Sequence, residues 1–260
     1  MAEGGRPGAD ELTFVEHLEE LRGRLLRSAL AVAVGMIAGW VLAPAVLDWL
    51  VRSSVGHAAV MSPVEALGER FRLALFLGGC VASPAVLYQV WAFVVPGLLR
   101  RERRLILPLV LLSLVLFAAG VAVALLLVVP ISMQALNAFL TPAMTPQFRL
   151  SYVLGFIYNL CLATGVVFQL PLVVAVLTLM RVVSSRFLIR KWRLALVGAV
   201  VVSALVTPGD VVIAQFLLGL PLVLLYVLSV AVAWILERAR GARGPSLLDS
   251  WTEGSSAEDT

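Results

Sequence analysis

Six stretches of the 260-residue chain hold no Asp, Glu, Lys or Arg: residues 28–47, 73–99, 105–148, 150–180, 194–209 and 211–236. A helix that crosses a bilayer needs about 20 apolar residues, so each run predicts one crossing. The 105–148 run is too long for a single helix. Pro130, Pro142 and Pro146, with Thr141, Thr145 and Gln147, make its second half polar and leave a span near Leu107 to Val129. The 194–209 run is at the lower limit for crossing. It leads into Thr207-Pro208-Gly209-Asp210, the residue types of a type II turn, in which Pro fixes φ and Gly accepts a positive one. The predicted fold class is all-α, a multi-pass integral membrane protein with six transmembrane helices near 28–47, 73–95, 107–129, 152–180, 194–206 and 212–235. Pro171 and Pro221 are expected to bend spans four and six, and bent, unequal helices suit a concave scaffold.

Composition agrees. At 61% hydrophobic and 14% charged residues, against roughly 25% charged in an ordinary soluble chain, the molecule cannot cover itself with polar surface, which argues against a soluble enzyme. The net charge of +4 is too small and too dispersed for a nucleic-acid binder. Placement of the cations is more informative, because 16 of the 20 fall in four clusters: Arg6 to Arg27, Arg100 to Arg104, Arg181 to Arg193 and Arg238 to Arg243. Lys and Arg are retained on the cytoplasmic side of a membrane. Two charge-free runs separate each successive pair of clusters, so all four can share that side, and both termini are expected to be cytoplasmic.

Residues 1–27 read as a cytoplasmic N-terminal segment and not as a cleaved secretory signal, since they carry six acidic groups and precede a full-length span. Thr13 and Glu16 have the spacing of a capping box, which predicts a short helix ahead of span one. Phe14, Leu18, Leu21 and Leu25 form its apolar stripe. Residues 237–260 lose their apolar content and read as a disordered cytoplasmic tail. Cys80 and Cys161 lack the spacing of a disulfide framework or a zinc site, and are expected to be buried small hydrophobes. His17 and His57 stand apart from other ligand types, so no metal or other cofactor is expected. Ser83, Gln134, Tyr158 and Asn159 at membrane depth are expected to make interhelical hydrogen bonds.

Two acidic residues on the expected cytoplasmic side admit more than one reading. By spacing alone, Glu19 with Arg22 and Glu20 with Arg24 are ordinary helix ion pairs. Glu102, among Arg100, Arg101, Arg103 and Arg104, is by itself a counter-ion in a positive-inside anchor.

Longer motifs carry more. Phe14-x-x-His17-Leu18-x-Glu20-Leu21-Arg22, Met61-Ser62-Pro63-x-Glu65, Ser83-Pro84, Tyr88-Gln89-Val90-Trp91-Ala92-Phe93-x-x-Pro96-Gly97-Leu98 and Glu102-Arg103-Arg104 occur in that order. Gly165 to Pro171 and Leu205 to Asp210 follow. Together they resemble the TatC family, the polytopic core of the twin-arginine protein translocase. The resemblance implies a receptor in the bacterial cytoplasmic membrane for signal peptides bearing paired arginines. By motif position it carries over Glu20 and Glu102 as the carboxylates that meet those arginines, with Arg22, Gln89 and Phe93 in the same cytoplasmic site. It places Pro63 and Asp210 among functionally sensitive outer-loop residues. The implied partners are twin-arginine signal peptides of folded precursors, single-span TatA and TatB type proteins, further copies of the chain, and lipid.

One departure from the family pattern is Gln169, where many relatives carry a mid-membrane glutamate; Gln cannot titrate, which argues against a proton-linked role there. The alternative function is a small-molecule secondary transporter, which would place ionisable or unwound elements near mid-span, and the sequence is expected to place neither there. An intramembrane enzyme is disfavoured by the lack of HExxH, GxSxG or paired aspartates within the spans, so no catalytic residue is assigned. No internal repeat is visible.

Overall fold

A computed structural model describes residues 9–94, 106–141, 147–180, 182–206 and 212–239. Every regular element among them is helical: α1 (Ala9–Ser54), α2 (Pro63–Val94), α3 (Ile106–Val123), a π-turn (Ala124–Val128), α4 (Val129–Asn137), α5 (Leu150–Val167), α6 (Leu170–Leu179), α7 (Ser185–Arg190), α8 (Trp192–Val206) and α9 (Val212–Ala239). Among the described residues five stretches are long and apolar enough to cross a membrane, namely His17–Ser54, Pro63–Val94, Leu107–Ala135, Leu150–Leu179 and Gly219–Arg238, and a shorter apolar helix covers Trp192–Val201. Six crossings, the fifth one short, are compatible with this set. By its contacts the chain divides into two compact units, residues 1–44 with 70–111, and residues 45–69 with 112–260.

In the first unit α1 and α2 pack antiparallel through glycines. A Cβ on Gly35 would lie 2.5 Å from the Gly78 carbonyl oxygen, and one on Gly39 would strike that of Ala74. Small residues of this kind let two backbones approach closely where lipid supplies no hydrophobic drive for association. The outward positions Val34, Ile37 and Val41 stay 61%, 70% and 74% exposed, an apolar face suited to acyl chains.

Two proline expectations resolve differently from the sequence reading. The third span does not end at Val129, because the helix continues past Pro130 to Asn137. Proline lacks an N–H and its ring collides with the carbonyl four residues back. Here the preceding turn widens into the π-form, with the Val129 N–H donating to Ala124 O, and the ladder continues beyond the proline. In span four the helix does break, between Val167 and Leu170, and Pro171 sits in the first turn of α6, where its missing donor has no consequence.

Other boundaries shift as well. No separate short helix precedes span one; α1 is continuous from Ala9, so Thr13 lies inside it. It ends at Ser54, followed by Gly56 at φ +76°, whose N–H reaches Val51 O at 3.0 Å, a glycine-dependent helix stop. Residues 237–239, expected in the tail, belong to α9, which extends to Ala239; the rest of the expected tail lies outside the described residues. α9 runs uninterrupted through Pro221. Cys161 is fully buried as expected, and Cys80 only partly. Ser83 donates to Cys80 O within its own helix and not across to a neighbour. The turn at 207–210 lies outside the described residues.

In the second unit the core is built on α5, with Leu154, Ile157, Leu160 and Cys161 at or near zero exposure. α9 packs along α6, α7 and α8.

Candidate functional site

The antiparallel register set by the glycines places the residues of interest. Gly35 faces Gly78; eleven residues back along α1 is Arg24, and eleven on along α2 is Gln89. These two meet, Arg24 Nη1 donating to Gln89 Oε1 at 3.4 Å. One turn earlier on α1, Arg24 is held by Glu20, whose Oε1 accepts from Nε at 3.0 Å and from Nη2 at 2.6 Å. Two turns back from Arg24, the His17 ring stacks on Phe93 with centroids 4.5 Å apart and planes within 18°. Eleven residues are close to three helical turns, so contacts set near mid-helix carry through to the helix ends.

Along α1 beside these contacts lies an open depression of 420 Å³ lined by Glu19, Glu20, Gly23, Arg24 and Arg27. The hydrogen bonds from Arg24 hold the Glu20 carboxyl below its ordinary value of 4.5; Glu20 precedes the charge-free run that starts at residue 28. Of the residues expected to share this site, Glu20, Gln89 and Phe93 come together. Arg22 lies exposed on α1. Glu102 lies outside the described residues. His17, dismissed as a metal ligand, takes part through its ring face. Arg24, visible in the sequence as the i+4 partner of Glu20, proves to link Glu20 to the second helix.

Pro63 belongs to a different cluster, in the second unit. It opens α2, where its fixed φ suits the first helical position. Ser62 caps the helix by accepting the Glu65 N–H at 3.2 Å, and Glu65 Oε2 reaches back to the Met61 N–H at 2.9 Å. This resembles a capping box, except that the carboxylate reaches the N–H of Met61, one residue before the Ser62 cap. Glu65 Oε1 also accepts from Arg149 Nε at 2.9 Å and from the Ser151 N–H at 3.3 Å. A short bridge, Ala59 N–H to Phe148 O at 2.7 Å and Leu150 N–H to Ala59 O at 3.0 Å, joins the same two segments. The Glu65 carboxyl, which lies before the run starting at residue 73, is lowered to about 2, first by Arg149, then by Ser151 and Met61. No local pattern pairs residues 65 and 149, which lie 84 positions apart. Asp210, the other outer-loop candidate, lies outside the described residues.

Gln169 sits in the break between α5 and α6, half-buried, and its amide is matched to one residue of α3. Its Oε1 accepts from Ser113 Oγ at 2.6 Å, and its Nε2 donates to Ser113 O at 3.0 Å. Phe117, four residues further on α3, meets Gly165, four residues earlier on α5, so this pair also has one antiparallel register. Ser113 was not singled out from the sequence, because a serine in an apolar run has no periodicity to mark it.

These features define a polytopic helical membrane protein whose described polar groups are gathered into ion pairs and hydrogen-bonded joints at helix ends and breaks. The family described as Sec-independent protein translocase protein (TatC) matches residues 16–221. A Sec-independent protein translocase protein TatC of Carboxydothermus hydrogenoformans is 32% identical over 225 residues, 85% of this chain and 93% of that one. The protein of the same name from Synechocystis sp. is 34% identical over 214 residues, 82% and 84% of the two chains. A solved crystal structure of a twin arginine translocase receptor, TatC, has a TM-score of 0.76 at 31% identity, covering 85% of this chain and 99% of that one. The chain belongs to the TatC family, and with it to the core subunits of the twin-arginine translocation system. That family is a protein-translocase component and not a known enzyme family.

Proposed function

We propose that this chain is the receptor that binds twin-arginine signal peptides of folded precursors on the cytoplasmic face of a bacterial cytoplasmic membrane. In this reading both termini are cytoplasmic, following the clustering of Lys and Arg. Glu20 and Glu102 take the two guanidiniums, with Arg22, Gln89 and Phe93 completing the site. Single-span TatA and TatB type partners and further copies of the chain assemble around it. Pro63 and Asp210 act in the outer loops, the former by starting α2 in the clasp that Glu65 makes with Arg149. Gln169 acts as an uncharged polar joint between spans three and four.

The observation that carries this reading is the guanidinium already seated between Glu20 and Gln89. A carboxylate on one helix and an amide on the next accept separate nitrogens of the Arg24 fork. Such a site is selective for arginine, because a planar fork satisfies acceptors in fixed directions whereas an ammonium is a compact, strongly hydrated point charge. A peptide arginine that replaces Arg24 exchanges one guanidinium for another, so Glu20 is not left unpaired. Phe93, stacked on His17, supplies an apolar wall beside the exchange.

The test is photo-crosslinking of a twin-arginine signal peptide to probes at positions 20 and 102, with a twin-lysine peptide as control. Arginine-dependent adducts at both positions are expected. A Glu20→Ala/Glu102→Ala double variant that inserts normally and still binds the peptide would refute the site.

A further inference from the structure

The described part of the third basic cluster is arranged as a surface beside a carboxylate that is already engaged by Ser185. Residues 182–193 contain no acidic residue, and among the described residues the carboxylate that meets them is Glu237, in the last turn of α9. Its two oxygens accept from the Ser185 N–H at 2.7 Å and from the Ser185 hydroxyl. Tyr226 OH donates to Leu188 O, a second pin from α9. The six-residue α7 is thereby fixed against α9. The Glu237 carboxylate is thus taken up by Ser185, which is buried.

What this leaves outside is cationic and aromatic. Arg190, Lys191, Arg193 and Arg238 are all exposed. Two of the guanidiniums lie over indole rings, Arg193 at 5.8 Å from the Trp192 centroid and Arg238 at 5.3 Å from that of Trp234. Both tryptophans are half exposed, 49% and 51%. Tryptophan concentrates at the headgroup level of a bilayer, where an amphipathic ring has one wet and one apolar side. An arginine lying on the ring is held at that depth with its fork free for an oxyanion.

We propose that α7, the start of α8 and the last turn of α9 form a binding surface for the headgroup of an anionic phospholipid. The phosphate would meet the forks of Arg190, Arg193 and Arg238, and the tryptophans would lie at the acyl boundary. The leaflet is the inner one in the topology proposed above, but the chemistry is independent of how signal peptides bind. Charge complementarity selects the occupant: the exposed cations, Arg186 of α7 among them, attract an anionic headgroup, and the two indoles favour one that is attached to a bilayer over a free anion.

The test is native mass spectrometry of the purified, delipidated full-length chain with equimolar phosphatidylglycerol and phosphatidylcholine of identical acyl chains. Preferential retention of phosphatidylglycerol is expected. Arg190→Gln/Arg193→Gln/Arg238→Gln should weaken it by about fivefold per charge removed, the factor that corresponds to one cation near an anionic surface. Arg52→Gln, which removes a cation paired with Asp48 elsewhere, should leave it unchanged. Arg238→Gln alone should show the single-charge loss, and so reads the surface even if the triple variant does not fold. Equal retention of the two lipids, an equal loss in Arg52→Gln, or no loss in Arg238→Gln would overturn the proposal. Displacement of the lipid by inorganic phosphate at matched concentration would overturn it in favour of a free-anion site.

Discussion

Arg24 Nη2 lies 2.6 Å from Glu20 Oε1, and the same guanidinium reaches Gln89 on the neighbouring helix at 3.4 Å. The side chain of Arg24 is only 18% exposed and that of Glu20 39%. An arginine of the chain itself occupies the place proposed for an arginine of the peptide. Exchange is feasible because exposed helix ion pairs of this type are weak, screened by solvent and offset by side-chain entropy.

Removing the internal occupant should therefore raise peptide affinity. Arg24→Gln is expected to strengthen binding of a twin-arginine peptide by about two- to fivefold, the factor set by a pair of that strength. Titration of a labelled peptide into the detergent-solubilised variant measures it. Weaker binding would mean that Arg24 orients Glu20 for the peptide and is not displaced by it.

The clasp between Glu65 and Arg149 has a pH signature. A carboxyl lowered from 4.5 to about 2 in the folded chain contributes stability that is fully present above about 4.5, and that stability is lost as pH falls towards 2. Glu65→Gln retains an acceptor but loses the charge, so it lacks this component at every pH. Thermal unfolding of the two proteins in detergent should differ most at neutral pH, with the wild type more stable, and the gap should close between about pH 4.5 and 2. A gap that persists unchanged to pH 2 would remove the ion pair as its cause.

Ser113 and Gln169 exchange two hydrogen bonds between α3 and the α5–α6 break. Their coupling can be isolated by comparing Ser113→Ala, Gln169→Leu and the double variant. Polar pairs within membranes average about 0.6 kcal/mol and reach about 1.7 kcal/mol. The double variant should therefore be less destabilised than the sum of the single ones by an amount in that range. Strict additivity would show that the two side chains do not depend on each other.

Most of the helical plan was legible because charge is so costly in hydrocarbon that charge-free runs mark spans directly. The run at 150–180 and the helices Leu150–Leu179 nearly coincide. What charge does not mark was misjudged. The end of span three depended on whether the backbone would absorb Pro130, and a π-turn, which has no residue signature, decided it. Glu237 was placed in the tail on local composition, whereas its fate was set by Ser185, 52 residues away. For the site, the motif supplied Glu20, Gln89 and Phe93. That they share one helix pair follows from Gly35, Gly39 and Gly78, whose meaning emerges only when both helices are laid side by side. Glu65 was quoted from its motif, but its partner Arg149 lies 84 residues on, beyond any local pattern.

The short α8 is the remaining feature on which assembly is expected to depend. Its 15 residues, Trp192–Val206, rise roughly 22 Å at 1.5 Å each, well below a hydrocarbon thickness of about 30 Å. Mismatch of this size is met by local thinning of the bilayer or by association with another helix, at a fraction of a kcal/mol per Å. A single-span partner lying against α8 would cover what the short helix leaves exposed to unmatched lipid. Inserting four leucines within Leu194–Val206 extends the helix by about 6 Å and removes most of the mismatch without altering a charged residue. Co-purification of a TatA or TatB type partner with the lengthened chain is expected to fall, and export of a twin-arginine precursor with it, while signal-peptide binding at Glu20 is retained. Unchanged co-purification and export would show that partners are recruited by side-chain contacts elsewhere and that the length of α8 has no part in it.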